Sequence, residues 1–220
     1  MNTFKNIELS APVIPAADYD GLIKAADLTA NIEVLFTVKG MIQQGDLFEL
    51  KINGTETVFD QIISDPNPPS ELSFIMNIHP RYLMNDGSYT VHYSWTGFPG
   101  MITQDSLKTV IRIDRTAPGA TLLAPNIFPQ INFGEVLKGA IPGYADMQSG
   151  DRIQTLCNGI EGPVHVVTPQ DLTDRPVQIG FEREFLTNLD SEHLTFSYQV
   201  VDRAGNVSIM AQLVELSMQR

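Results

Sequence analysis

At 220 residues, 43% of them apolar and 18% charged, the chain can hold one large domain or two of about 100 residues, and it is too apolar for wholesale disorder. Its net charge of −12 divides as 14 acids against 8 bases up to Thr116 and 12 against 6 beyond. No basic run exists to neutralise phosphates, so no nucleic-acid partner is expected and an anionic membrane surface is disfavoured.

With 16 glycines and 14 prolines and few Lys and Glu, the composition points to an all-β protein. Met1–Pro15 contains one lysine and no continuous apolar stretch, so no Sec signal peptide is expected there and export would need another route or a larger parent chain. No apolar run of about 18 residues occurs, and no membrane insertion is expected.

Taken in order, the first half predicts strands at 11–15, 31–39, 46–53, 56–60, 71–78, 88–96 and 106–114. Residues 1–10 form an N-terminal extension, and helix is confined to a turn or two at Leu22–Leu28. Ile32, Val34, Phe36 and Val38 alternate with polar residues, as do Leu72, Phe74, Met76 and Ile78. That period of two turns one face of a strand toward a core. The second half predicts strands at 119–124, 134–141, 151–157, 163–167, 176–183, 193–201 and 207–217. Asn53-Gly54 and Asn158-Gly159 suit the positive φ angles of tight hairpin turns.

The halves repeat one another. Gly45-Asp46 to Asn53-Gly54 recurs as Gly150-Asp151 to Asn158-Gly159, an offset of 105 residues. The offset persists from Tyr89, Val91, Tyr93 and Trp95 to Leu194, Phe196, Tyr198 and Val200, and from Thr109, Ile111 and Ile113 to Val214, Leu216 and Met218. Leu137, Gly139 and Ile141 match the Ile32–Val38 stripe only with a two-residue gap. Seven short strands in each half predict two tandem immunoglobulin-like antiparallel β-sandwich domains, 1–116 and 117–220, joined near Asp114–Pro118.

Several segments then resemble a known family. They are Ile141-Pro142-Gly143-Tyr144, Met147 to Ile153, Tyr198 to Ser208 with its Asp202-Arg203-Ala204-Gly205-Asn206 hairpin, Asp86 to Val91 and Ile113 to Pro118. They are similar to the bacterial immunoglobulin-like repeats of large adhesins and repetitive surface proteins of pseudomonads and related proteobacteria. The resemblance implies a non-catalytic structural or adhesion module, secreted or at the cell surface, with neighbouring immunoglobulin-like domains as partners. Related repeats often carry a tryptophan where Ile52 and Cys157 stand. The first half also replaces the Asp-x-Ala-Gly-Asn hairpin with Gly97-Phe98-Pro99-Gly100.

Candidate chemistry is sparse. His79, His92, His165 and His193 have no metal-pair spacing, and alternation puts His92 on an outer face opposite Tyr93. Cys157 lies in an apolar series and reads as a small buried hydrophobe. No nucleophile elbow, phosphate loop or dinucleotide fingerprint is present, so an enzyme is not expected. No cofactor is expected either, with calcium on Asp18, Asp20, Asp114 and Asp202 as the alternative. The apolar loop bearing Trp95, Phe98, Pro99 and Met101 is the candidate ligand site for a protein or glycan, and would make the chain a lectin-like effector. Asp65–Ser70 reads as a stiff loop between sheets.

Overall fold

The computed structural model describes residues 9–129 and 134–217. The chain divides into two compact units, Met1–Arg115 and Thr116–Arg220, each closed around its own buried cluster. Regular structure is predominantly β, in several antiparallel sheets. No helix among the described residues is long and apolar enough to cross a membrane.

The first unit contains β1 (Leu22–Ile23), β2 (Ile32–Lys39), β3 (Leu47–Ile52), β4 (Glu56–Ile62), β5 (Glu71–Ile78), β6 (Gly87–Gly97), β7 (Ile102–Asp105) and β8 (Thr109–Ile113). β2 and β5 pair as one sheet. The other runs β1-β8-β6-β3-β4, with β7 also on β6. Alternation buries Ile32, Val34, Phe36 and Val38 of β2 and Phe74, Met76 and Ile78 of β5. They meet Phe48, Leu50 and Ile52 of β3 and Val91 and Tyr93 of β6 in one cluster. The Phe36 ring stacks 3.8 Å from Tyr93 and 4.9 Å from Phe74. Each such fully buried ring contributes about 1.5–3 kcal/mol.

The second unit contains β9 (Val136–Ile141), β10 (Arg152–Cys157), β11 (Ile160–Val166), β12 (Val177–Glu182), β13 (His193–Val201) and β14 (Val214–Ser217), with a short helix α1 (Arg183–Asn188) after β12. β9 pairs with β12, and the facing sheet runs β11-β10-β13-β14.

The repeat is present in the pairing itself. β3 meets β6 from Leu47↔Thr96 to Ile52↔Val91, and β10 meets β13 from Arg152↔Val201 to Cys157↔Phe196. Both partners of every pair are displaced by the same 105 residues. Val34↔Met76 answers Leu137↔Phe181, so the two-residue gap on β9 belongs to the fold. Asn53 and Asn158 take φ of 50° and 51°, followed by Gly54 and Gly159 at 93° and 77°. Their side-chain oxygens accept from Thr90 and Thr195 N–H at 3.2 and 2.8 Å. These are the left-handed hairpin turns that Asn-Gly favours.

Several expected elements differ. Residues 11–15 provide only the bridge Val13↔Leu35, while Leu22–Ile23, expected within helix, is strand β1 running parallel to β8. The expected turn survives only at its end, as the 3-10 turn Asp27–Thr29, and further helix appears as α1 and as 3-10 turns at Pro80–Tyr82 and Gln170–Leu172. The predicted strand at 119–124 is a turn, because Gly119 and Ala120 have φ of 80° and 49°. The bridge to β9 comes later, at Ile127↔Ala140. Residues 106–114 and 207–217 are shorter strands, and at their start the Ser106 and Ser208 hydroxyls, in place of a main-chain carbonyl, accept from Tyr93 N–H at 3.0 Å and Val200 N–H at 2.9 Å. Leu9, counted with the extension, is buried in the first unit and its carbonyl accepts from Leu107 N–H at 3.0 Å. Residues 1–8 lie outside the described residues.

Candidate functional site

The Trp95–Met101 loop closes the hairpin between β6 and β7, and its shape is set by a buried carboxylate. Asp46, 1% exposed, follows Gly45, whose φ of 95° needs a residue without Cβ. One carboxylate oxygen accepts from Trp95 Nε1–H at 2.9 Å and Gln43 N–H at 3.1 Å, and the other from Phe98 N–H at 2.9 Å. The Gln43 side-chain amide also donates to the Phe98 carbonyl. A buried charge persists in a fold only when so satisfied.

Trp95 is thereby anchored. Its indole N–H is taken by Asp46 and its ring stacks on Phe48 at 5.7 Å. Phe98 lies across Gly45, where an added Cβ would come within 2.8 Å of the ring, yet it remains 51% exposed. Met101, at φ of 54°, is 68% exposed and donates its N–H to the Gly97 carbonyl at 2.7 Å. Pro99 and Ile102 are also exposed. The four candidate residues therefore separate into a structural Trp95 and an apolar tip of Phe98, Pro99 and Met101. The tip can offer an aromatic and aliphatic contact surface, and contains no acid, base or nucleophile.

Asp46 was not singled out from the sequence, although its Gly-Asp pair recurs at Gly150-Asp151. Asp151, fully buried, accepts from Gln148 N–H at 3.0 Å and Tyr144 O–H at 2.9 Å. Burial, then the Asp151 charge, raises the Tyr144 hydroxyl well above the ordinary tyrosine range. The repeated signal was a Gly-Asp pair directly before a strand that alternates polar and apolar residues.

The carboxylates proposed for calcium lie at separate points of the chain. Asp20 pairs with Arg112 at 2.7 Å and faces Leu22 N–H at 3.5 Å. The Asp18 carbonyl accepts from Gly21 N–H at 2.8 Å. Asp202 accepts from Asn206 N–H and its side-chain amide, both at 2.8 Å, the local turn bonding that Asp and Asn favour. Asp114 follows the end of β8. Among the described residues, no three His, Cys, Asp or Glu side chains converge as a metal ligand set.

His92 corrects the sequence reading. It alternates with Tyr93 as expected but is 2% exposed. β6 lies between β8 and β3, and the residue opposite His92, Lys51, has a side chain only 19% exposed and paired with Glu49. Burial lowers the His92 pKa, as do Lys108 and Lys51, while Asp105 opposes them. His165 pairs with Asp171 at 2.9 Å, His79 Nδ1 accepts from Arg81 N–H at 3.2 Å, and His193 is exposed. Cys157 is fully buried, and burial pushes its thiol up to about 12, far from a reactive thiolate.

No family model and no curated protein matches this chain. Among solved structures it is similar to a chain from a study of host cell surface retention of a 1.5-MDa bacterial ice-binding adhesin, at 18% identity and a TM-score of 0.49. The match covers 98% of this chain and 66% of that one, so this chain spans just under two thirds of that chain's length.

Proposed function

We propose that both units are immunoglobulin-like domains and that the chain is a non-catalytic structural or adhesion module of a bacterial surface or secreted assembly. The observation that carries this reading is the duplicated register of β3 on β6 and β10 on β13. Two copies of one sandwich, each with its own core, are joined in tandem without a long linker. Repetition of a small self-contained domain builds an extended chain by adding equivalent units, and conserves fold while leaving surface loops free to vary. Antibody labelling of intact, unpermeabilised cells of the source bacterium tests the reading. Surface label, or release into the medium, is expected; signal only after permeabilisation would overturn it.

The exposed tip of Phe98, Pro99 and Met101 supports a second reading, a lectin-like or protein-binding effector. A glycan array separates the two. Phe98→Ala is the informative variant, because Trp95→Ala also removes a donor to Asp46. Sugar binding lost in Phe98→Ala favours the effector, and an array without specific binding favours the structural module.

A further inference from the structure

The units diverge where the edge strand of one sheet passes to the edge strand of the other, β4 to β5 in the first and β11 to β12 in the second. In the second unit the connection brings its own aliphatic side chain. Leu172 packs against the core, and the next residue back, Asp171, is latched to β11. One Asp171 oxygen pairs with His165 Nε2 at 2.9 Å and accepts from Thr168 N–H and Oγ1–H, both at 2.7 Å.

In the first unit Gln61 occupies the register of His165, since Phe48↔Gln61 answers Ile153↔His165. The connection Ser64–Ser70 contains Pro66, Pro68 and Pro69 and no aliphatic counterpart to Leu172. Asp65 turns its carboxylate to Asn67 N–H at 2.8 Å. What remains is a groove of 390 Å³ between Gln61–Ile63 and Leu72–Ile75. Leu72 is half-buried there, whereas Val177 at the same register is 1% exposed.

One wall of the groove is a sheet edge that no strand among the described residues pairs. β5 ends its sheet and pairs with β2 over eight residues without a bulge. From Leu72 to Ile78 it contains no Pro, Lys or Arg, the devices that protect natural edges from a further strand. β4, the facing edge, is broken by a register shift. Ile62 and Ile75 are 62% and 64% exposed at the rim. Among the described residues no Lys or Arg lines the groove, while Asp65 does and Asp60 stands beside it on β4. A second copy of the chain would add its own charge of −12 to that acidic rim.

We propose that this groove receives an extended peptide segment of another protein, laid along the free edge of β5. A leucine-sized side chain enters where Leu172 sits in the second unit, with Lys or Arg beside it. Main-chain pairing supplies affinity, the aliphatic anchor supplies selection, and the carboxylates at the rim favour the basic flank. The inference goes beyond the surface-module reading and does not rest on it.

Fluorescence anisotropy on the full chain tests it, using a fluorescein-labelled synthetic peptide that alternates leucine and threonine between lysines. Saturable binding is expected, weakened about tenfold or more by Ile62→Lys or Ile75→Lys. Val166→Lys places the same charge at the register of Ile62 in the self-filled unit and should leave affinity unchanged. Replacing leucine by serine in the peptide should weaken binding as much as the groove variants do. Absence of saturable binding, equal loss with Val166→Lys, or indifference to the leucine would overturn the proposal. So would a dimer, seen by sedimentation, that Ile75→Lys dissolves, because the occupant would then be a second copy.

Discussion

Where the first unit places Phe36 on β2, the second places Gly139 on β9. Phe36 fills its core from within the strand, stacked between Phe74 and Tyr93. Gly139 leaves that volume to Phe128, whose ring comes within 3.0 Å of where a Cβ would sit and packs 4.6 Å from Phe196. The buried carboxylates show the same exchange, with Trp95 bonding Asp46 in one unit and Tyr144 bonding Asp151 in the other. A strand register survives duplication more strictly than the side chains that fill it. Backbone pairing is shared by the whole sheet, whereas a volume can be filled from any neighbouring segment.

The largest effect should come from breaking that exchange. Phe36→Ala removes a ring from a closed core and is expected to cost about 3–5 kcal/mol. Phe128→Ala, at a half-buried position, should cost about 2 kcal/mol. Trp95 is the single tryptophan, so its fluorescence in a urea titration reports the first unit, and circular dichroism reports both. Phe36→Ala should lower the midpoint seen by Trp95, while Phe128→Ala should leave it in place. An unaltered circular dichroism curve for Phe128→Ala would show that it does not replace Phe36.

Next in size is the carboxylate clamp. Asp46→Ala strands three donors and should cost about 2–3 kcal/mol. Trp95→Phe keeps a ring over Phe48, loses one donor and should cost about 1 kcal/mol. The double variant should cost less than the sum, because both remove the same bond. Additive losses by circular dichroism would place the Trp95 contribution in stacking alone.

These cases also show what the sequence could tell. The Ile32–Val38 and Leu72–Ile78 alternations marked strands correctly because one face of each meets a core. The offset of 105 residues was readable because pairing conserves spacing. The roles of Trp95 and His92 were not readable, since each depends on residues distant in sequence. An aromatic in a loop suggests recognition until Asp46 is seen to hold it. An outward histidine suggests solvent until its central strand and Lys51 are placed. Helix α1 has six residues, too few for a period of 3.6 to stand out. The groove beside β5 was invisible because its walls, on β4, β5 and the connection between them, meet only in the folded chain.

A smaller effect tests the symmetry directly. Asn53→Ala and Asn158→Ala each remove the side-chain amide that lets asparagine tolerate φ near 50°, and with it an acceptor for a threonine N–H. Each should cost about 1–2 kcal/mol, with Asn158→Ala at the upper end because Asn158 also accepts from Thr195 Oγ1–H at 3.0 Å and donates to the His193 carbonyl at 3.3 Å. Equal losses in thermal unfolding would mean that the two extra bonds of Asn158 add nothing to the turn the hairpins share.

The smallest effect, and the one that separates the units by chemistry, is acid sensitivity. Burial, Lys108 and Lys51 lower the pKa of His92 from its ordinary 6.5, with Asp105 partly offsetting them. The unfolded chain therefore binds a proton that the folded first unit resists. Stability is fully present above pH 6.5 and falls as pH drops from there through the lowered folded value. The second unit has Ser197 at this register, donating to the Ala211 carbonyl at 2.7 Å. Its Asp171 is instead held down to about 2, from 3.8, chiefly by the Thr168 N–H and by His165. That contribution is present above pH 3.8 and is lost only as pH falls toward 2. Urea midpoints followed by Trp95 should thus decline between pH 7 and 5.5 in the native chain. His92→Ser, which gives the first unit the residue found in the second, should flatten that decline. An equal decline in the variant would place the acid sensitivity outside His92 and leave that buried histidine without a thermodynamic signature.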